Sequence, residues 1–254
     1  MFTTTTTSSP IPVSKVNPSE TESQKATAFA ATQIDKPQTP EKNVAMAAAT
    51  QSKSDALRSL LDDLASPDSA RRAAAATALG RLADVAAVPA LIAALGEADA
   101  DIAREAATSL GLLHNVAAVE PLIAILKNHD GYFHSVVRAA ATRSLGQLRD
   151  LRAVVPLIAA IKDPIAEASA EAIRALASLP DPRALPALLE VIRNEHNFYL
   201  ATARYAAILG LAHIGGEQAI CELRFVSTNQ WEDAVIRAAA IEALRPATAS
   251  TINA

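Results

Sequence analysis

The sequence predicts an all-α fold, an α-solenoid of stacked antiparallel helix pairs, and three observations carry that prediction. Half of the 254 residues are apolar, yet only 4% are aromatic and eight are Gly. A core built chiefly from Ala, Leu, Ile and Val favours packed helices over a sheet. From Ser54 onward a unit repeats, with "ATALGRLADVAAV", "ATSLGLLHNVAAV" and "ATRSLGQLRDLRAV" as one half and "AVPALIAAL", "AVEPLIAIL", "AVVPLIAAI" and "ALPALLEVI" as the other. Two registers agree on its length. Leu60, Leu91, Leu122, Leu157, Leu188 and Leu223 are separated by 31, 31, 35, 31 and 35 residues, and Gly80, Gly111, Gly146, Ala177 and Ala212 by 31, 35, 31 and 35. Units of this length holding two helical segments cannot bury their apolar faces alone and stack side by side.

Each element follows from local chemistry. In the first half-unit, apolar residues recur every three or four positions around small ones such as Ala140 and Ala141. Small side chains let helix axes approach to roughly 8–10 Å. A short polar break such as "ADVAA" or "RDLRA" follows. The second helix then carries Pro89, Pro121, Pro156 or Pro186 in its first turn, where the missing N–H costs nothing. "HIGGEQA" reads as a helix stop with glycines at the cap.

Three segments are expected. Residues 1–53, rich in Ser, Thr, Pro and Ala, hold five Pro, no Gly, and five Lys against four acids, with no sustained period, and are expected to be disordered. The array spans residues 54–246. It opens on a stretch, residues 56–64, that aligns with a second helix and whose Arg58, Asp62 and Asp63 suit a solvated cap. Pro246 is expected to halt the last helix, leaving residues 247–254 as a polar tail.

"VVRAAATRSLGQLRDLRAVVPLIAAIKD" resembles the HEAT-like repeat named after the phycobilisome (PBS) lyases, and the resemblance covers about residues 54–245. The Thr-Pro-Leu-His and Trp-Leu-Gly-Tyr signatures of ankyrin and tetratricopeptide repeats are missing. The resemblance implies the armadillo-type superhelical fold and leaves function open between scaffolds, bilin lyase subunits and a peptidyl-lysine hydroxylase.

Composition excludes several classes. A net charge of −4 and a pI near 5.8 give no reason to expect nucleic-acid binding. No apolar run approaches a membrane-spanning length, so no membrane insertion is expected. The N-terminus lacks the charged and apolar regions of a secretory signal. Its Ser/Thr content matches an organellar transit peptide, but residues 1–57 contain no Arg, and a cytoplasmic protein with a plain leader is expected. The lone Cys221 rules out an internal disulfide framework and is expected to be a buried, inert thiol.

Candidate functional residues sit where the spacing lengthens. The four extra residues fall between the second helix of one unit and the first helix of the next. Two such junctions read "NHDGYFHSVVR" and "NEHNFYLATAR", and a third reads "STNQWEDAVIR". Tyr132, Phe198 and Trp231 each lie six residues before an Arg (Arg138, Arg204, Arg237) and are positional equivalents on one edge. With Phe133 and Tyr199 they are either hydrophobic plugs over helix ends or anchors for a partner protein.

No catalytic residue, metal site or cofactor is expected. His129 and His134 share a junction with Asp130, but His196 lies two units on, at roughly 20 Å, too far to share one ion. His114 and His213 close first helices, where a structural role suffices. The hydroxylase of the resembled class looks like a di-iron protein with His-Glu pairs, and none of the five His here precedes Glu. The recurring Arg72, Arg138, Arg204 and Arg237 are expected to bond the preceding turn.

The reading that follows is a non-catalytic scaffold or adaptor. It binds another protein through the concave surface of its second helices and the aromatic edge. The alternative implied by the resemblance is a bilin lyase subunit or chromophore chaperone. Phe198, Tyr199 and Trp231 would then stack on an open-chain tetrapyrrole, Arg204 and Arg237 would meet its propionates, and Glu232 and Asp233 would lie within reach.

Overall fold

The structure, a computed structural model, describes residues 40–127, 134–194 and 198–249, with side chains described from residue 49 to residue 245. The chain divides into a unit of residues 1–50 and a unit of residues 51–254, and the described part of the first is the start of one helix. Two rows of helices alternate along the chain. The first helices are α2 (Ser69–Leu82), α4 (Ala100–Leu112), α6 (Ser135–Leu148), α8 (Ala166–Ala177), α10 (Ala201–Ile214) and α12 (Ala234–Ala249). The second helices are α1 (Pro40–Leu64), α3 (Val88–Ala94), α5 (Val119–Leu126), α7 (Val154–Ala160), α9 (Leu185–Arg193) and α11 (Gly216–Thr228). No strand occurs among the described residues, and the chain is an all-α solenoid.

A repeated polar device makes the sharp turn inside each unit. Asp84, Asn115, Asp150 and Asp181 each accept the backbone N–H two residues on, at 3.0, 2.9, 2.9 and 2.9 Å. That bond starts a single 3₁₀ turn, which ends on Ala87, Ala118, Ala153 or Ala184, all fully buried. A larger side chain there would hold the second helix off the first. Proline enters the second helices in their first turn, as expected.

The two leucine registers form the core. Leu79, Leu110, Leu145, Leu176 and Leu211 on first helices, and Leu91, Leu122, Leu157 and Leu188 on second helices, are fully buried. Each such side chain contributes about 1.5–3 kcal/mol. The first helices also touch at backbone range. A Cβ added to Gly146 would lie 3.0 Å from the Ala175 Cα, so a larger residue would have to push the helices apart by a few tenths of an ångström. Hydroxyls complete the seam: Ser109 donates to the Ala76 carbonyl and Ser144 to that of Ala107, both at 2.8 Å.

Two boundaries differ from expectation. Helix α1 begins at Pro40, ahead of the expected start at Ser54, because "EKNVAMAAATQSKS" is alanine-rich and free of Gly and Pro. Residues 1–39 lie outside the described residues. Helix α12 runs past Pro246 to Ala249, where a proline's missing N–H frees one carbonyl in a closing turn that water can reach. Among the described residues no helix is long and apolar enough to cross a membrane.

Candidate functional site

The recurring arginines are clamps. Arg204 on α10 reaches back to the Ile192 carbonyl with Nε and Nη2, at 3.0 and 2.7 Å. The same guanidinium reaches forward to both carboxylate oxygens of Glu232, at 2.8 and 2.7 Å. Both side chains are 13% exposed. Arg138 on α6 makes the matching fork to Asp163, at 2.6 and 3.0 Å, and Asp163 also accepts the Ile165 N–H ahead of α8. Arg72 on α2 bonds the Ser66 and Pro67 carbonyls and reaches Glu97 at 3.4 Å. Arg237 turns into its own junction, toward the carbonyls of Asn229, Gln230 and Glu232, each at 3.4 Å. Arg72, Arg204 and Arg237 thus bond the preceding turn as expected, while the described bonds of Arg138 run forward to Asp163.

The acids respond to their partners. Hydrogen bonding from Arg204 lowers the Glu232 carboxyl below its ordinary range and outweighs the opposing effect of burial. For Asp163, burial pushes upward, but the bonds from Arg138 and the Ile165 N–H together overcome it and the net shift is downward.

The aromatic junction before α10 separates into two roles. Tyr199 is half-buried against the core and Phe198 is 59% exposed, with the rings edge to face at a centroid distance of 5.0 Å. Asn194 ends α9 in the left-handed conformation, with φ of 45°. It braces the junction from both sides: its side chain donates to the Tyr199 carbonyl at 3.1 Å and accepts the Tyr199 N–H at 2.8 Å. Tyr199 is thus the plug and Phe198 the free ring. Burial, with the nearby Glu190 charge, pushes the Tyr199 phenol upward. Trp231 is 87% exposed, so it is not a plug either. Tyr132 and Phe133 lie outside the described residues, as do His129, Asp130 and His196.

Phe198 and Tyr199 wall a trough of about 760 Å³ across the second helices. Its lining includes Lys162 after α7, Leu189, Glu190 and Arg193 of α9, and Gln218 of α11. Lys162 meets Glu190 at 3.7 Å, and Arg193 meets Glu222 at 2.8 Å. A second cleft of about 550 Å³ adjoins through Arg193 and is lined by Cys221, Glu222 and Phe225. Of the five residues expected to form a ligand pocket, the trough takes Phe198 and Tyr199. Arg204 and Arg237 are committed to junction bonds, and Trp231 lines neither cleft.

Sequence reasoning missed Lys162, Glu190 and Arg193, which occupy non-repeating positions and carry no register signal. Cys221 is exposed rather than buried; it stands two residues before the register Leu223, as the exposed Pro89 and Pro186 stand before Leu91 and Leu188. The Nδ1–H of His213 donates to the Ala177 carbonyl at 2.9 Å, the structural role expected of it. Among the described residues no cluster of three His, Cys, Asp or Glu could hold a metal ion.

Two-helix units of 31 and 35 residues, joined by Arg–acid clamps and crossed by a trough on the second helices, define an α-solenoid repeat protein. The family model of HEAT repeats matches residues 26–111, 54–134, 119–204 and 162–245. The chain belongs to the HEAT-repeat family, in the HEAT-like form of the phycobilisome lyases. A chain in the structure of the complex of CpcE and CpcF of phycocyanin lyase from Nostoc sp. PCC7120 is 30% identical, with a TM-score of 0.52 over 73% of this chain and 74% of that one. A designed armadillo repeat protein in complex with the peptide (KR)4 is 17% identical, with a TM-score of 0.55 over 74% of this chain and 98% of that one. Another designed armadillo repeat protein is also 17% identical, with a TM-score of 0.52 over the same shares. These two show the fold alone. No curated protein matches the sequence.

Proposed function

We propose that this protein is a non-catalytic scaffold that binds a protein partner across its second helices, with Phe198 and Trp231 as anchors. One observation carries the reading. The trough beside Phe198 is lined by charges of both signs (Lys162, Glu190, Arg193) as well as by Leu189 and the two rings, a mixture that suits a polypeptide segment better than a small substrate. An exposed Phe held edge to face by a half-buried Tyr is pre-organised and gives up little side-chain freedom on binding. A HEAT-repeat solenoid presents such a face on a semi-rigid frame. Tyr132 and Phe133 extend the same edge by position in the sequence. Phe198→Ala combined with Trp231→Ala is the test. Both side chains are mostly exposed, so the melting temperature should hold while partner capture in a pull-down falls at least tenfold. Capture of every partner at wild-type level would defeat the proposal.

The 30% identity to a chain of a phycocyanin lyase complex favours a second reading, a bilin lyase subunit or chromophore chaperone. Phe198 and Tyr199 would then stack on the tetrapyrrole, with Lys162 and Arg193 near its propionates. Co-expression with a bilin source separates the readings. A coloured, red-shifted protein supports the lyase class, and a colourless one with an intact pull-down supports the scaffold.

A further inference from the structure

Two matched positions, four residues apart, can be followed along the first helices. One holds Thr77, Thr108, Arg143, Arg174, Leu209 and Glu242, and the other holds Ala73, Arg104, Ala139, Ala170, Tyr205 and Ala238. Among the described first helices, α10 alone places an aromatic and an aliphatic side chain there. Tyr205 and Leu209 are each 43% exposed and stand one turn apart on the same face. The rest of α10 shows solvent little polarity. In "ATARYAAILGLAHI" the one formally charged residue, Arg204, is committed to its clamp, and His213 to the Ala177 carbonyl. A solvent-facing helix surface normally carries charge, so an exposed strip of this kind marks a contact surface.

The charge on the two sides of the strip is unequal. On the α8 side, Arg143 and Arg174 both bond the buried Glu171. Burial pushes the Glu171 carboxyl upward, but the bonds from Arg174 and Arg143 overcome it, so the net shift is downward and the carboxylate stays ionised. Two half-exposed guanidiniums thus share one negative charge, which leaves a positive charge uncompensated at the surface. Toward α4, the acids Asp101 and Glu105 already hold Arg104. On the α12 side, the residue level with Leu209 is Glu242, whose only printed-range partner, Arg245, meets it in an exposed pair that holds it weakly. The face is therefore positive, apolar and negative across three successive first helices. A Cβ on Gly210 would lie 2.9 Å from the Ala177 Cα, so α8 and α10 pack at backbone range. Such helix axes are roughly 8–10 Å apart. An extended chain rises about 3.3 Å per residue, so about three of its residues span one step.

We propose that this face binds an extended segment of a partner protein in which an acidic, a large apolar and a basic side chain follow one another at intervals of about three residues. The acid meets Arg174 and Arg143, the apolar side chain covers Tyr205 and Leu209, and the base meets Glu242. The difference in sign between the two sides fixes the direction in which the segment crosses the helices. This face belongs to the first helices and the trough to the second, so the proposal stands apart from the reading in which Phe198 anchors a partner.

Selection of phage-displayed random dodecapeptides on the immobilised full chain tests the proposal, with circular dichroism confirming that each variant keeps its helix content. Enriched peptides should show the acid, apolar and base spacing. In fluorescence polarisation, Leu209→Gln and Tyr205→Ala should each weaken a selected peptide about tenfold. Arg174→Gln should weaken it about threefold at low salt and less as salt is added. Glu242→Lys should turn the preference at the last position from base to acid, which a mere loss of stability would not do. Peptides that bind Leu209→Gln at wild-type affinity overturn the proposal. So do a selection that enriches nothing, enriched peptides without the spacing, or an unchanged preference in Glu242→Lys. Peptides weakened by Phe198→Ala and not by Leu209→Gln belong to the trough, and this proposal then fails while the trough reading stands. A wild-type dimer in sedimentation velocity that Leu209→Gln abolishes makes the face an interface between copies and overturns the proposal equally.

Discussion

Replacing Arg204 by Met tests whether the clamps hold the array together. The substitution keeps the aliphatic stem but strands the Ile192 carbonyl and the Glu232 carboxylate, which together receive four of its hydrogen bonds. Removing one partner of a buried pair costs about 3–5 kcal/mol. Each side chain here keeps 13% exposure, so water recovers part of that, and a loss of about 2–4 kcal/mol is expected. Arg204→Lys should recover only part of it, because an ammonium cannot span two carboxylate oxygens and a carbonyl at once. The assay is urea unfolding combined with hydrogen exchange, since an array of stacked units need not unfold in one step. Protection should fall in α10 to α12 and hold in α2 to α4. Acidity supplies a second signature. The wild-type Glu232 carboxyl is lowered in the folded state, so its contribution is complete above the unfolded value of about 4.3 and is lost as pH falls through the folded value. Without Arg204, burial and the Asp233 charge push that carboxyl upward, and protonation then relieves the variant. The penalty should therefore shrink below about pH 4. A loss under about 0.5 kcal/mol at neutral pH, or a penalty indifferent to acid, would mean the clamp behaves as an ordinary surface pair.

The two rings of the α9–α10 junction should separate in the same assay: Tyr199→Ala should cost about 1–3 kcal/mol through lost packing, and Phe198→Ala less than about 0.5 kcal/mol. Equal costs would contradict the assignment of Tyr199 as plug and Phe198 as free ring. Gly210→Ala should destabilise by about 1–3 kcal/mol, because the new Cβ would lie 2.9 Å from the Ala177 Cα and 2.8 Å from Leu188 Cδ1. A neutral result in thermal unfolding would show that α8 and α10 can separate without penalty.

Periodicity made the scaffold legible. Leucine and small-residue registers repeat because each unit solves the same packing problem, and the prolines repeat because each second helix starts the same way. The arginines were readable as structural for the same reason. Their acids were not, since Glu97, Asp163 and Glu232 lie 25, 25 and 28 residues downstream and meet them only after folding. The turn residues Asp84, Asn115, Asp150 and Asp181 recur once per unit and carried a signal that was there to be read. The Phe198–Tyr199 pair was visible, but which ring is buried depends on Asn194 bracing the junction, a contact with no repeat to announce it. Phe198, Tyr199 and Trp231, with Arg204 and Arg237, suggested one ligand pocket. The structure instead commits Arg204 to the Ile192 carbonyl and Glu232 and Arg237 to junction carbonyls, and the trough takes only Phe198 and Tyr199 of the five.

The clamps also do not repeat in every unit, and this bears on where a partner would bind. They tie α2 to the junction before α4, α6 to that before α8, and α10 to that before α12. Glu105 and Glu171 add side-chain bonds within the first two of these couples. Among the described residues, the interfaces from α4 to α6 and from α8 to α10 show small-residue packing, the Ser144 and His213 contacts to carbonyls, and pairs with at least one exposed partner, Glu120–Arg152 and Arg193–Glu222. Among the described residues the array thus shows three clamped couples and two seams without a matching fork, and the second of these seams lies at the trough and Phe198. Loosely held interfaces open at lower free energy than clamped ones, so α9 and the start of α10 should exchange amide hydrogen faster than α7 and the start of α8. Transplanting a clamp onto the seam by Thr108→Arg, which faces Ala140→Glu in the register of Arg143 and Glu171, should slow exchange across α4 to α6 and leave the trough seam unchanged. Uniform protection along the whole array in wild type would show that the couples are a pattern of sequence without mechanical consequence.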